Sequence, residues 1–201
     1  ISIFLVGAVA FPLFSLLSLG LSRLLRVPQD RRGMWCCCAT FCNNGFMGFP
    51  VALALFGEEG LTLTVILSIP FNLLMYSVGA KMVCMDLPRD GSARPISWSR
   101  AVFSVINLSM AVGLLLYYPQ LPLPQAILGP LGYLSDATTP LSMIITGMNL
   151  SQGRIGDVLR DRNAFTAAGA RLLLFPAVAW ALMELVPGLD GLVMGAALIN
   201  L

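Results

Sequence analysis

The stretch that decides the fold is Phe41-Cys42-Asn43-Asn44-Gly45-Phe46-Met47-Gly48-Phe49-Pro50, which interrupts an apolar run covering residues 34–56. A helix from Gly33 to Asn44 rises about 16 Å, or half the thickness of the hydrocarbon layer of a membrane. Two asparagines, two glycines and a proline at this depth weaken or end a helix. The sequence therefore predicts a membrane helix that is interrupted near its middle.

The interrupted segment has two interpretations. Unwound backbone at this depth persists only where protein or a water-filled cavity satisfies its polar groups. Pro50 suits the first position of a second half-helix, because its nitrogen carries no hydrogen to leave unpaired. The positive end of that half-helix, with Asn43 and Asn44 as neutral donors, would favour an anionic group. The alternative is a packing kink at which neighbouring helices approach through Gly45 and Gly48.

The composition indicates a membrane protein. Of the 201 residues, 57% are hydrophobic and 11% are charged, whereas soluble domains have about 25% charged residues. The net charge of +2 is too small for a nucleic-acid partner, and a soluble enzyme or a disordered linker is a poor interpretation. The five cysteines form no CxxC pair and histidine is absent, so neither a metal site nor a cofactor is expected.

Six apolar runs long enough to cross about 30 Å of hydrocarbon follow one another, and a seventh begins near residue 191. They cover about residues 1–22, 34–56, 61–85, 99–118, 126–151 and 164–186. The prediction is an all-α polytopic protein embedded in the lipid bilayer, with a single transmembrane domain over residues 1–201. Because the chain begins and ends inside apolar runs, we expect it to be a fragment of a longer protein.

Basic residues predict the orientation of these runs. Apart from Arg171, every Lys and Arg lies in or near residues 23–33, 86–100 and 152–163, which form the first, third and fifth connections, with Lys81 just before the third. Positively charged connections stay in the cytoplasm, so the first run is expected to cross from outside to inside. Arg171 lies about 13 Å along a helix from Arg162, and we expect its side chain to extend towards the cytoplasmic surface or to make a structural contact.

Asp136 is an acidic residue predicted to lie inside the membrane, within the fifth run. A carboxylate at such depth usually faces a cavity, a partner or a proton pathway. It would therefore accept and release a proton or control access of a substrate. The structural alternative is a hydrogen bond within the helix bundle, with Thr138, Thr139 or a backbone amide as the partner.

The segment Asn43 to Gly57, with the sequence NNGFMGFPVALALFG, resembles the interrupted-helix motif of the auxin efflux carrier family, which includes bacterial permeases for small organic acids. Further pieces resemble the family in the same order along nearly the whole chain. They are Asn72, Asn107 with Gly113 and Leu121-Pro122, Leu134-Ser135-Asp136-Ala137 with Pro140, and Arg171-Leu172-Leu173 before Pro176. Leu108 is a departure, because the family usually has proline there.

The resemblance implies ten spans in two inverted five-helix repeats, whose interrupted fourth and ninth helices cross at the middle of the membrane. Residues 1–85 would end the first repeat, and residues 99–201 would form most of the second. It also implies a secondary transporter in the plasma membrane of a bacterium. Its substrate would be a small organic anion, auxin-like or similar to malate or malonate, moved by alternating access.

The residues expected to bind this substrate are Asn43, Asn44, Gly45, Phe46, Gly48 and Pro50, with Asn72 and Asp136 lining or gating the same cavity. No catalytic residue is expected, and the chain is not expected to be an enzyme. The coupling ion is left open between a proton on Asp136 and sodium on unwound carbonyls. A homodimer is also left open. The alternative function is a channel or a receptor-like helical bundle, in which the kink would serve only for gating or signalling.

Overall fold

The structure is a computed structural model that describes residues 2–87, 97–117, 123–153, 156, 160–184 and 191–200. Within these residues all regular structure is helical, which confirms the all-α prediction. The α-helices are α1 (Ser2–Leu24), α2 (Arg32–Thr40), α3 (Phe49–Leu74), α4 (Ala80–Cys84), α5 (Trp98–Val102), α6 (Val105–Tyr117), α7 (Gln125–Gln152), α8 (Arg162–Gly169), α9 (Phe175–Glu184) and α10 (Gly191–Asn200). Three wider π-helical turns, Asn44–Gly48, Met75–Gly79 and Ala170–Leu174, lead directly into α3, α4 and α9.

Three helical segments of the described chain are long and apolar enough to cross a membrane. They are Ile3–Leu24, Phe49–Cys84 and Arg162–Glu184, and Val105–Leu116 is a shorter apolar helix. Ile3–Leu24 and Arg162–Glu184 correspond to the predicted runs 1–22 and 164–186, whereas Phe49–Cys84 covers the end of the run 34–56 and most of the run 61–85. α7 and α10 occupy the runs at 126–151 and from 191 onward. The chain is therefore a multi-pass membrane protein.

The predicted run 99–118 is not one continuous helix. α5 ends at Val102, and Phe103 leaves the helical conformation with a φ of −88° and a ψ of 39°. α6 then starts afresh, with the hydroxyl of Ser104 accepting a hydrogen bond from the N–H of Asn107 at 3.3 Å. The Nδ2 of Asn107 donates to the carbonyl of Val102 at 3.0 Å. Polar side chains thus satisfy the backbone where the two helices meet.

Gly57 reverses the chain within α3. Its φ of 67° and ψ of −161° lie outside the helical region, in a conformation that glycine adopts most readily. A Cβ placed on Gly60 would lie 3.3 Å from the carbonyl oxygen of Ala52. In a continuous helix these two residues would be about 12 Å apart along the axis. The chain therefore changes direction at Gly57, between the predicted runs 34–56 and 61–85, and this change separates the segment 49–56 from the segment that carries Asn72.

Glycines allow close helix packing in the first of two compact units, which comprises Ile1–Ser109 and Asn163–Leu201. In this unit α1 packs against α2 and α3, and α10 packs against α3. A Cβ on Gly7 of α1 would lie 2.5 Å from the Cδ1 of Leu67, and a Cβ on Gly195 of α10 would lie 2.6 Å from the ring of Phe56. A larger residue at either position would require the side chain of Leu67 or Phe56 to shift.

An aromatic cluster forms part of the core of this unit. The ring of Phe11 lies 6.3 Å from that of Phe41 and 5.3 Å from that of Phe71, and the Phe41 and Phe71 rings are 5.7 Å apart. Phe14 stacks on Phe175 at 5.0 Å. All five rings are buried. Because Phe41 follows α2 directly, the cluster attaches the end of α2 to α1 and α3.

The N-terminal end of α2 is held by Asp86. Its Oδ1 and Oδ2 accept hydrogen bonds from the N–H groups of Gly33 and Met34, both at 2.6 Å. A carboxylate here satisfies free amides and interacts favourably with the helix dipole. A Cβ on Gly33 would lie 1.8 Å from the carbonyl oxygen of Met82, so only glycine fits. This end of α2 is therefore fixed against α4.

The second unit comprises Met110–Arg162 and contains α7, a helix with Pro130 and Pro140 in its interior. Most of the described side chains of α7 are exposed. The predicted division into repeats over residues 1–85 and 99–201 stays a prediction.

Candidate functional site

The interruption predicted in the run 34–56 is confirmed. α2 ends at Thr40, Phe41 is extended with a φ of −108° and a ψ of 131°, and Asn43 has a φ of −83° and a ψ of 71°. Helical structure resumes at Asn44. Two half-helices, α2 and residues 44–56, are thus separated by residues 41–43, which are called the break below.

The second half-helix begins at Asn44, not at Pro50 as predicted. Its first turn is π-helical and is closed by the N–H of Phe49 donating to the carbonyl of Asn44, and Pro50 lies at the start of α3. Pro50 has no N–H to donate, and its ring would clash with the carbonyl four residues earlier, so the turn before it widens. The residues between Asn44 and Pro50 consequently form a helical turn, and only the break is unwound.

The two adjacent asparagines have different environments. Asn43 is exposed, and its Oδ1 accepts a hydrogen bond of 3.4 Å from the N–H of Phe46, so Asn43 caps the second half-helix. Asn44 is 2% exposed, and neither its Nδ2 nor its Oδ1 has a hydrogen-bond partner in the described part of the chain. A buried unpaired polar group is unfavourable by about 1–3 kcal/mol. Asn44 is therefore a buried polar group whose hydrogen-bonding capacity is unused in the described part of the chain.

The turn after Asn44 opens on one side. Gly45 is exposed, and a Cβ placed on it would meet no atom within 4 Å. The packing alternative requires a neighbouring helix to approach closely at Gly45, and within the described chain no helix does so. Phe46 is half-buried, Gly48 is buried and Pro50 is exposed. The first amides of a helix have no partner within it, so the positive end of the dipole lies at this open turn.

Asn72 lies in the part of α3 that packs against the break. Its neighbour Phe71 contacts Phe41 of the break, with ring centroids 5.7 Å apart. The side chain of Asn72 is half-buried. The structure thus brings the segment that carries Asn72 to the interrupted segment, whereas binding of a substrate by Asn72 stays a prediction.

Asp136 lies on α7 in the second unit, and its side chain is exposed. Thr138, one of its expected structural partners, donates its hydroxyl to the carbonyl of Leu134 at 2.7 Å. The side chain of Thr139 is outside the described residues. The structure therefore brings together the predicted residues from Asn43 to Asn72 within one unit and describes Asp136 in the other.

Arg171 is a residue of this site that the sequence-based prediction did not include. Its Nη1 donates to the carbonyl oxygen of Thr40 at 3.0 Å, and its guanidinium interacts with the side chain of Cys42 in the break. The sequence predicted either an extension towards the cytoplasmic surface or a structural contact, and the structure shows the structural contact. The predicted position of Arg171 inside the membrane could have indicated this contact. A buried cation needs polar partners, and the last carbonyls of a helix such as α2 have no partner within it.

A further helix lies beside the second half-helix. α10 contacts both the turn Asn44–Gly48 and α3, and Ala196 and Ala197 on α10 are buried. This is the run in which the resemblance implies the start of the second interrupted helix. A site formed between the two helices stays a prediction.

The chain is similar to known membrane transport proteins. Residues 1–91 match the family described as "Membrane transport protein". An uncharacterized transporter of Methanothermobacter thermautotrophicus is 32% identical over 142 residues, which are 70% of this chain and 44% of that protein. An uncharacterized transporter of Methanocaldococcus jannaschii is 30% identical over 148 residues, which are 72% of this chain and 46% of that protein. The chain thus spans less than half the length of these relatives. No solved structure matches it.

Proposed function

We propose that this chain, which belongs to the membrane transport protein family, binds a small organic anion beside the break and carries it across the membrane. The whole protein would act as a secondary transporter by alternating access. The observation that carries the proposal is Asn44, a buried amide with no partner in the described chain, at the beginning of a membrane half-helix.

The local electrostatics favour an anion at this position. The second half-helix has the positive end of its dipole at its first turn beside the exposed Gly45, where the N–H of Phe46 is bonded to Asn43 and the preceding amides have no partner within the helix. An ionised carboxylate accepts hydrogen bonds and donates none, so it complements these amides and the Nδ2 of Asn44. A half-helix that points its N-terminus at a substrate carboxylate in mid-membrane is a known arrangement in secondary transporters.

Asn44 also constrains the ligand beyond its carboxylate. The Nδ2 of Asn44 needs an acceptor and its Oδ1 needs a donor, because both are buried without a partner in the described chain. A simple carboxylate satisfies only the Nδ2. We therefore expect a ligand with a donor near its carboxylate, such as the hydroxyl group of malate.

Transport of matched substrates tests this function. The full-length protein in proteoliposomes should take up labelled malate faster than succinate, which has the same carboxylates but lacks the hydroxyl. Indole-3-acetate tests the auxin-like alternative. Runs with a pH gradient, a sodium gradient or neither should identify the coupling ion. Failure to move any of the three acids would reject the proposed function, and ion currents without organic-acid uptake would favour the channel alternative.

A further inference from the structure

The carbonyl end of the first half-helix is held by residues from two other parts of the chain. The Oγ1 of Thr40 lies 3.0 Å from the Oγ of Ser18 and 3.5 Å from the carbonyl oxygen of Phe14, both on α1. The carbonyl oxygen of Thr40 accepts from Arg171 at 3.0 Å. Phe14 stacks on Phe175, which directly follows the turn that carries Arg171. The contact between Arg171 and Thr40 is thus part of a packed arrangement.

The last carbonyls of a helix have no partner within it and carry the negative end of its dipole. At mid-membrane such groups need partners from the protein or from a cavity. The guanidinium of Arg171, which stays protonated, satisfies the Thr40 carbonyl and offsets this negative end. On the other side of the break, the second half-helix begins with its positive end. Both sides of the break therefore carry positive potential.

We propose that Arg171 is a positioning residue that makes the break selective for anions. It occupies the Thr40 carbonyl that a sodium ion would need, and its charge repels cations while it attracts a carboxylate to the turn at Asn44. A sodium ion bound at the Thr40 carbonyl beside the break is therefore disfavoured, although the sequence leaves open the use of unwound carbonyls by sodium. The identity of the ligand rests on the proposed function, whereas the selectivity for negative charge does not.

Charged thiol reagents measure this selectivity without any substrate. Gly45 provides the reporter position, since a Cβ there meets no atom within 4 Å and the residue is exposed. In the full-length protein, the native cysteines of this chain are replaced by serine and Gly45→Cys is introduced. The reaction rates with an anionic and a cationic methanethiosulfonate of similar size are then compared. With Arg171 present, the anionic reagent should react faster.

Substitutions of Arg171 test its part in this preference. Arg171→Met and Arg171→Gln should lower the ratio of anionic to cationic rate by about tenfold, because one unit charge near the thiol is lost. Arg171→Lys should keep most of the ratio, since it retains the charge. Arg162→Met is the matched control, because Arg162 is an exposed arginine about 13 Å away along the same run of helix, and the ratio should not change.

Three results would overturn the proposal. These are a ratio unaffected by both neutral variants, an equal fall in Arg162→Met, and no reaction of the cysteine with either reagent. The Gln variant keeps hydrogen-bonding capacity, so it provides the answer where the Met variant fails to insert. A ratio that follows the charge at position 171, together with no transport of malate, succinate or indole-3-acetate, would keep this inference and reject the proposed function.

Discussion

At the residue scale, Asn43 and Asn44 are adjacent in the sequence but have different environments in the structure. Asn43 immediately precedes the first helical residue, and from this position its side chain accepts a hydrogen bond from the N–H of Phe46. Asn44 is the first residue of the turn, and a helical residue is rotated by about 100° from its neighbour. This rotation takes the side chain of Asn44 into the interior, where it has no partner in the described chain. Asn43 caps the half-helix, whereas Asn44 is a buried polar residue whose side chain has no partner in the described chain.

Asn44→Leu should weaken malate binding by about 5- to 150-fold, the equivalent of about 1–3 kcal/mol, because Asn44 would no longer provide its donor and acceptor. It should also remove the preference for malate over succinate. The measurement is uptake in proteoliposomes at equal protein content.

Asn43→Ala is the matched control. It should lower thermal stability, by about 1 kcal/mol for a lost cap, while the preference for malate remains. If Asn44→Leu took up malate at the wild-type rate and kept the wild-type preference over succinate, the interrupted segment would be interpreted as a packing kink.

Asp136→Asn tests the second predicted role. Asparagine has the shape of the protonated carboxyl but cannot release a proton. If Asp136 couples transport to protons, the variant should exchange labelled malate across the membrane at equilibrium but should not concentrate it under a pH gradient. Accumulation equal to wild type under the same gradient would exclude the proton role, and another acceptor would then have to be sought.

At the element scale, α2 is a short helix whose two ends are fixed by other parts of the chain. Isolated helices shorter than about 12–15 residues are marginal in water, so tertiary contacts must stabilise the nine residues of α2. Asp86 holds its N-terminal amides, and Arg171 holds the carbonyl of Thr40 at the other end. In addition, the Nε1 of Trp35 donates to the Oγ1 of Thr166 at 3.1 Å. The position of the break thus depends on α4 and α8 as well as on α2.

Gly33→Ala should destabilise the protein by about 1–3 kcal/mol, as overpacking of a tight contact does. The new methyl group would overlap the carbonyl oxygen of Met82 and separate α2 from α4. Thermal unfolding in detergent, followed by the fluorescence of the tryptophans, measures the effect.

Gly20→Ala is the control on α1, because a Cβ there meets nothing within 4 Å. Removal of a helical glycine should leave stability unchanged or raise it by about 0.5–1 kcal/mol. If the Gly33→Ala protein were as stable as the Gly20→Ala protein, the close contact between α2 and α4 at Gly33 would not contribute to stability.

At the scale of the whole molecule, charge and hydropathy determine orientation in the membrane. The described helices lie mostly within the apolar runs, and the described basic residues other than Arg171 lie between helices, near helix ends or in short helices, which is compatible with the orientation rule. Part of the third and fifth connections, including Gly91 and Asp157, lies outside the described residues. The assignment of these connections to the cytoplasm stays a prediction that labelling can test.

Single cysteines at Asp30, Gly91 and Asp157, in a cysteine-free background, should not react with an impermeant thiol reagent added outside the cell. Glu58→Cys is the control on the opposite side, since Glu58 is exposed at the reversal in α3 and should be labelled from outside. Labelling of Asp30→Cys, Gly91→Cys and Asp157→Cys from outside, with Glu58→Cys protected, would invert the orientation.

The sequence by itself determined the membrane setting, the positions of the helices and the presence of an interruption near Asn43. These properties depend on the thickness of the hydrocarbon layer of the membrane and on backbone preferences that act over a few residues. The reversal at Gly57 belongs to the same class, because a glycine in a short polar turn needs no distant contact. The start of the second half-helix was misplaced by a few residues, since a π-helical turn before Pro50 has no distinct sequence signal.

Only the tertiary structure decided which polar groups of the site are paired. Arg171 and Thr40 are 131 residues apart, and Asp86 and Gly33 are 53 apart. Such contacts form because helix packing places a donor beside an acceptor, and no local pattern records which pairs will meet. The burial of Asn44 depends on packing in the same way. Whether a polar residue is satisfied, and therefore whether it is available to a substrate, is a property of the folded chain.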